Sequence, residues 1–136
     1  MKPGVTGIGG VFFKSDDPKK LTEWYKKHLN FKTDEQGYVN FAWRESENPE
    51  KKGLTVWSPF PKDTEYFNPS ENPYMINYRV NEIDKLLKQL RADGVEVDDK
   101  VEEYDYGKFA WIMDPEGNRV ELWEPSDDAN ELFGAG

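Results

Sequence analysis

The sequence predicts an α+β fold built from two matching halves. Asp16 and Asn81 each stand just ahead of an amphipathic stretch, 65 positions apart, and Leu21 and Leu86 keep that spacing. Each half closes on a similar phrase, Leu54-Thr55-Val56-Trp57-Ser58-Pro59 and Val120-Glu121-Leu122-Trp123-Glu124-Pro125. The chain has 136 residues, the size of one ordinary domain, so the halves must share a core.

Gly7 to Phe13 is a short apolar run with glycine punctuation, a buried strand. Asp16-Asp17-Pro18 supplies an N-cap and a first-turn proline. Leu21, Trp24, Tyr25 and Leu29 follow at helical spacing, which predicts a helix to about His28. Tyr38 to Arg44 alternates as a strand does, Glu45 to Gly53 is a polar loop, and Leu54 to Trp57 is a strand stopped by Ser58-Pro59. Met75 to Val80 opens the second half as a strand. Asn81 is the expected cap of a helix carrying Ile83, Leu86, Leu87 and Leu90 on one face, with Gly94 as its stop. Val95 to Val101, Lys108 to Met113 and Arg119 to Trp123 are strands, the last two joined by the turn Asp114 to Asn118. The plan is one domain over 1–136: a module over about 5–59, a linker over 60–73, a second module over about 74–125, and a tail over 126–136.

A net charge of -9 and the lack of a basic stripe argue against nucleic acid as a partner. An acidic field instead weakly favours cationic small molecules. The absence of cysteine excludes disulfides, thiolate metal sites and cysteine nucleophiles. No run approaches about 18 apolar residues, so no membrane span is expected, and no signal peptide is read in MKPGVTGIGG. A cytoplasmic protein is the expectation. The chain is hydrophilic (mean hydropathy -0.92) yet holds five Trp, seven Tyr and eight Phe. Either the core is rich in rings, or some of them line a pocket.

Alternation sorts the strand residues by face. Val11 with Phe13, Leu54 with Val56, Ile76 with Tyr78 and Val80, and Val120 with Leu122 form apolar sets that should seat the helices. The opposite sets hold Gly10, Phe12 and Lys14; Thr55 and Trp57; Met75, Asn77 and Arg79; Arg119, Glu121 and Trp123. Rings interspersed with a few polar groups are how small-molecule pockets are built. The expected ligand-binding residues are therefore Phe12, Trp43, Trp57, Met75, Asn77, Arg79 and Trp123. Glu121 has three open roles: pairing with a ligand, abstracting a proton, or forming a structural ion pair with Arg79 or Arg44. His28 reads as a last-turn helix residue, and Gly7-Ile8-Gly9-Gly10 lacks the dinucleotide-binding spacing.

Gly10-Val11-Phe12-Phe13, Asp17-Pro18, Leu21-x-x-Trp24-Tyr25-x-x-x-Leu29, Val80-Asn81-Glu82-Ile83-Asp84 and above all the run Phe109 to Pro125 resemble the vicinal-oxygen-chelate superfamily of glyoxalases, bleomycin-resistance proteins and extradiol dioxygenases. The resemblance implies paired βαβββ modules, a mostly antiparallel mixed sheet curled into a cup, and a homodimer. It also implies four metal-ligand positions, which fall here on Gly10, Thr55, Met75 and Glu121. Only Glu121 among them suits a hard cation. The expectation is thus a small aromatic or cationic ligand bound without a metal or other cofactor, with Glu121 the candidate catalytic or anchoring group. The alternatives are an atypical metal-dependent lyase, isomerase or dioxygenase, and a dimeric interaction module.

Overall fold

A computed structural model of the chain describes residues 3–35 and 37–127. In order, the elements are β1 (Gly4–Ser15), α1 (Pro18–Leu29), β2 (Val39–Arg44), β3 (Lys52–Pro61), β4 (Tyr74–Asn81), α2 (Ile83–Ala92), β5 (Glu102–Tyr104), β6 (Gly107–Met113) and β7 (Arg119–Pro125). The strands form one sheet in the order β2-β3-β1-β4-β7-β6-β5. β1 and β4, the opening strands of the two halves, pair antiparallel at its centre. Each also pairs parallel with the closing strand of its own half, β1 with β3 and β4 with β7. The halves are therefore joined along their first strands, as two matching modules would be. In the first half, the counterpart of β5 is reduced to a single bridge between Thr33 and Val39.

The α1 cap forms as its residues dictate. Asp17 accepts from the backbone of Lys20 at 3.1 Å, Pro18 opens the first turn, and Asn30 ends the helix in the left-handed conformation. The α2 cap does not. Glu82, not Asn81, precedes the helix, and its own side chain caps nothing. Asn81 is instead turned to the start of β1, where it accepts from Gly4 N at 2.7 Å. Glu124 of β7 fills the gap and accepts from Ile83 N at 2.6 Å. A local cap has been replaced by one from across the sheet.

β3 runs well past Ser58-Pro59. There it stays beside β1, with Phe13 opposite Pro59 and Ser15 opposite Pro61, beyond Val39, where β2 begins. A proline costs no ladder bond on an uncovered edge. The expected strand Val95 to Val101 is not continuous. Asp98 turns the chain by accepting from Lys100 N, which leaves a bridge at Val97 and the short β5 beyond it. The expected tail beyond 127 lies outside the described residues. No helix among the described residues is long and apolar enough to cross a membrane.

The two helices differ in how well they are seated. Ile83, Leu86 and Leu87 of α2 pack with Val80, Ala110 and Leu122 as the main apolar core. α1 has no fully buried residue, and Trp24 and Leu29 are more than half exposed. Trp24 thus does not belong to the core its spacing suggested. Leu87→Ala is expected to cost about 2–5 kcal/mol of stability, and Leu29→Ala no more than about 0.5 kcal/mol. Urea unfolding of the two variants checks the contrast.

Candidate functional site

A single cross-strand row crosses the middle of the sheet. Asn40 lies opposite Val56, Val56 opposite Gly10, Gly10 opposite Asn77, Asn77 opposite Glu121, and Glu121 opposite Trp111. Pairing of six strands therefore brings Asn77, Glu121 and Trp111 side by side; the β6–β7 hairpin sets Trp111 against Glu121, and pairing distant in sequence adds Asn77.

Glu121 is 2% exposed. Its Oε1 accepts from Asn77 Nδ2 at 2.6 Å, and its Oε2 accepts from Trp111 Nε1 at 3.0 Å. Oε2 also accepts a short hydrogen bond from the Tyr66 hydroxyl. Burial pushes the Glu121 carboxyl above the ordinary carboxylate range, while the three donors and the charge of Arg119 pull it back. Burial also drives the Tyr66 hydroxyl far above its usual value, reinforced by the neighbouring Glu121 charge, so Tyr66 remains a donor. Neither expected salt bridge, to Arg79 or to Arg44, forms. The carboxyl is held by neutral donors.

Tyr66 was not foreseen. It sits in the stretch 60–73, expected to be a linker, which instead folds over the sheet. Phe67 is fully buried against Met75 and Trp111, and Tyr66 stacks on Phe60 at 5.6 Å between centroids. The signal available was composition alone: Phe60, Tyr66 and Phe67 are too apolar for a passive connector.

A cavity of about 180 Å³ opens above the row. Phe12, Tyr38, Phe60, Phe109 and Trp123 form its ring walls, with Val56 beside them and Ser58, Asn77 and Glu121 among its polar residues. A side chain on Gly10 would put a Cβ 2.6 Å from Phe12 Cζ, so glycine is what lets that ring lie over the row. Of the expected ligand-binding residues, Phe12, Asn77 and Trp123 line this cavity. Met75 lies beneath it, fully buried.

Trp57 faces the other way. It contacts Phe13, Tyr25 and Phe31, on the α1 side, at centroid distances of 4.8–5.3 Å. Leu54 and Val56 take the cup side, packed with Trp123. The faces of β3 are thus opposite to the expectation. Both are apolar enough to be buried, so alternation alone could not orient the strand. Pairing with β1 did, by placing Val56 opposite Gly10.

Trp43 and Arg79 are also outside the cup. The Arg79 guanidinium lies 5.5 Å from the Trp43 ring and 5.0 Å from the Trp123 ring. Phe109 stacks on Trp123 from the β6 side, nearly parallel at 7°. Trp43 reaches this stack because Gly53 and Gly7 have no side chains; a Cβ on either would strike its ring.

The same register corrects the inferred metal positions. Thr55 donates to Ile8 O at 2.5 Å and accepts from Trp43 Nε1 at 2.8 Å, away from Glu121. The residues that meet Gly10 and Glu121 in one row are Val56 and Asn77, not Thr55 and Met75. Glycine, a hydrocarbon, an amide and one carboxylate make a poor cage for a hard divalent ion. Protein donors already take three of the roughly four lone pairs of that carboxylate. The described residues contain no group of three His, Cys, Asp or Glu able to hold a metal. This donor set does not fit the metal that the superfamily implies.

Residues 7–122 match the family model of the Glyoxalase/Bleomycin resistance protein/Dioxygenase superfamily. The chain belongs to this superfamily. Its fold is similar to that of methylmalonyl-CoA epimerase from Mycobacterium tuberculosis, at 18% identity and a TM-score of 0.59, over 93% of each chain. It is also similar to a Streptomyces coelicolor methylmalonyl-CoA epimerase variant in complex with 2-nitronate-propionyl-CoA, at 15% identity and a TM-score of 0.66, over 89% of this chain and 98% of that one. A superfamily member from Vibrio splendidus gives 11% identity and a TM-score of 0.54, over 86% and 97%. At these identities the likeness shows the glyoxalase-like fold alone. No curated protein matches the chain.

The state of Glu121 gives a pH prediction. A carboxyl raised in the folded state adds stability below the unfolded carboxylate range and loses that contribution as pH rises through its raised value. Glu121→Gln removes the charge, and the Asn77 amide can turn over to meet the new side chain. The variant should therefore gain stability relative to the wild type as pH rises above the unfolded carboxylate range of about pH 4. Urea unfolding of both proteins at rising pH checks it; a constant difference would count against burial as the cause.

Proposed function

We propose that this superfamily member binds a small, single-ring molecule in the cup without a metal, with Glu121 accepting one hydrogen bond from it. The observation that carries this reading is the ring-walled cavity with a nearly saturated carboxyl in its lining. At about 180 Å³ it is close in size to the engineered 150 Å³ apolar cavity that takes benzene. One lone pair of Glu121 Oε1 is left after Asn77 is satisfied, which suits a ligand with one N–H or O–H donor. An ammonium or a neutral donor answers to this description, and the acidic composition favours the ammonium. On this reading the protein is a cytoplasmic homodimer, the dimer following from the superfamily.

Tryptophan emission titrated with benzylamine, using toluene as the donor-free control, tests the proposal. Saturable quenching by benzylamine is expected, weaker by about tenfold for toluene and for benzylamine on Glu121→Gln, the loss of one charge-assisted hydrogen bond. Calorimetry with Mn²⁺, Ni²⁺ and Zn²⁺ should show no stoichiometric uptake. Uptake that disappears in Glu121→Ala would overturn the metal-free reading.

A further inference from the structure

Arg79 is 4% exposed, yet its Nε and Nη1 have no hydrogen-bond partner and it forms no ion pair among the described residues. Its one contact of this kind is a long hydrogen bond from Nη2 to Lys52 O at 3.4 Å. Buried cations are normally paired, because leaving one unpaired in a low-dielectric setting is costly. The two indoles give partial compensation through their ring faces. They also cover the flat sides of the guanidinium, so only its edge remains for a partner. Arg79 forms part of the wall of a separate hollow of about 330 Å³ at the end of the sheet, where the starts of β1 and β3 meet the ends of β4 and β7. Lys51 and Lys52 line the same hollow.

We propose that this hollow is an anion site, and that it takes a small carboxylate on the Arg79 edge that Nη2 shares with the unpartnered Nη1, in place of the long bond to Lys52 O. The guanidinium fork matches the two oxygens of a carboxylate in its own plane. That plane is set by Trp43 and Trp123, so a flat anion fits the slot better than a tetrahedral one. Burial lowers the Arg79 pKa to about 10, which still leaves it charged at neutral pH. Three acids, Glu45, Glu50 and Asp127, also line the hollow. Glu45 is the one whose charge acts on Arg79, but it is shared with Lys51, 4.0 Å from its Oε2. Glu45 therefore competes with an incoming anion. Trp123 lines the cup and also flanks Arg79, so its emission reports on the surroundings of Arg79. The site does not depend on the cup having a ligand.

The test follows unfolding temperature and tryptophan emission as sodium acetate replaces sodium chloride at constant ionic strength. Wild type, Glu45→Gln and Arg79→Lys are compared. A saturable change with acetate in the millimolar range is expected. Removal of the Glu45 charge should tighten it by about threefold, the effect of one weakly screened charge pair. Arg79→Lys, which keeps the charge but not the fork, should weaken it by about tenfold. Identical acetate and chloride curves in both wild type and Glu45→Gln would overturn the site. Acetate binding unchanged in Arg79→Lys would overturn the role of the fork, and tighter binding of inorganic phosphate would overturn the carboxylate assignment. Glu45→Gln leaves Arg79 itself intact, so the result does not depend on how well Arg79 variants fold. Benzylamine binding is read separately, which distinguishes failure here from failure of the cup.

Discussion

A carboxyl removed from water must be given hydrogen bonds, and this requirement organises the centre of the molecule. Glu121 comes from β7, Asn77 from β4, Trp111 from β6 and Tyr66 from the connection between β3 and β4. Each donor is useful only if its strand is in register, so the group ties the sheet and the overlying connection to one arrangement. The burial cost still leaves the carboxyl above its ordinary range. That residual tension is tolerable because the donors are neutral and fixed, with no buried counter-ion to desolvate.

The same economy of space recurs beside it. Gly10 leaves room for Phe12 to fold over the row, and Gly7 with Gly53 leaves room for Trp43 to lie across two strands toward Arg79. Phe109, Trp123, Arg79 and Trp43 form a ring, ring, cation, ring stack along the end of the cup. The aromatic surplus of this hydrophilic chain is thus divided among three tasks. Some rings wall the cavity, some hold a buried cation, and Tyr25, Phe31 and Trp57 fasten a helix that buries little else. Where related folds are expected to gather metal ligands, this chain gathers rings and hydrogen-bond donors around one acid.

The main elements were legible because their signals are local. Asp17-Pro18 marks a helix start through its own cap bond, and Ile83, Leu86 and Leu87 share a helix face whatever they pack against. Glu121 stood out as the lone acid on a face of rings. Less legible were residues whose role depends on partners far away in sequence. Asn81 looks like a cap but serves Gly4, and Glu124 becomes the cap although it lies 41 positions from Ile83. Trp57 and Val56 are both apolar, so the sides they take depend on pairing with β1.

By itself, the sequence determined the two-module α+β plan, the superfamily, and a lone carboxylate on a strand face rich in aromatics. Helical period, strand alternation and turn chemistry are short-range properties, and they survive without knowledge of neighbours. Only the tertiary structure decided which six residues meet in the central row, that Tyr66 closes over Glu121, and that Arg79 is sandwiched apart from the cup. Those outcomes rest on register. A shift of one residue reverses every side chain on a strand, and no local feature of β3 records which of its two apolar faces will be turned toward Gly10.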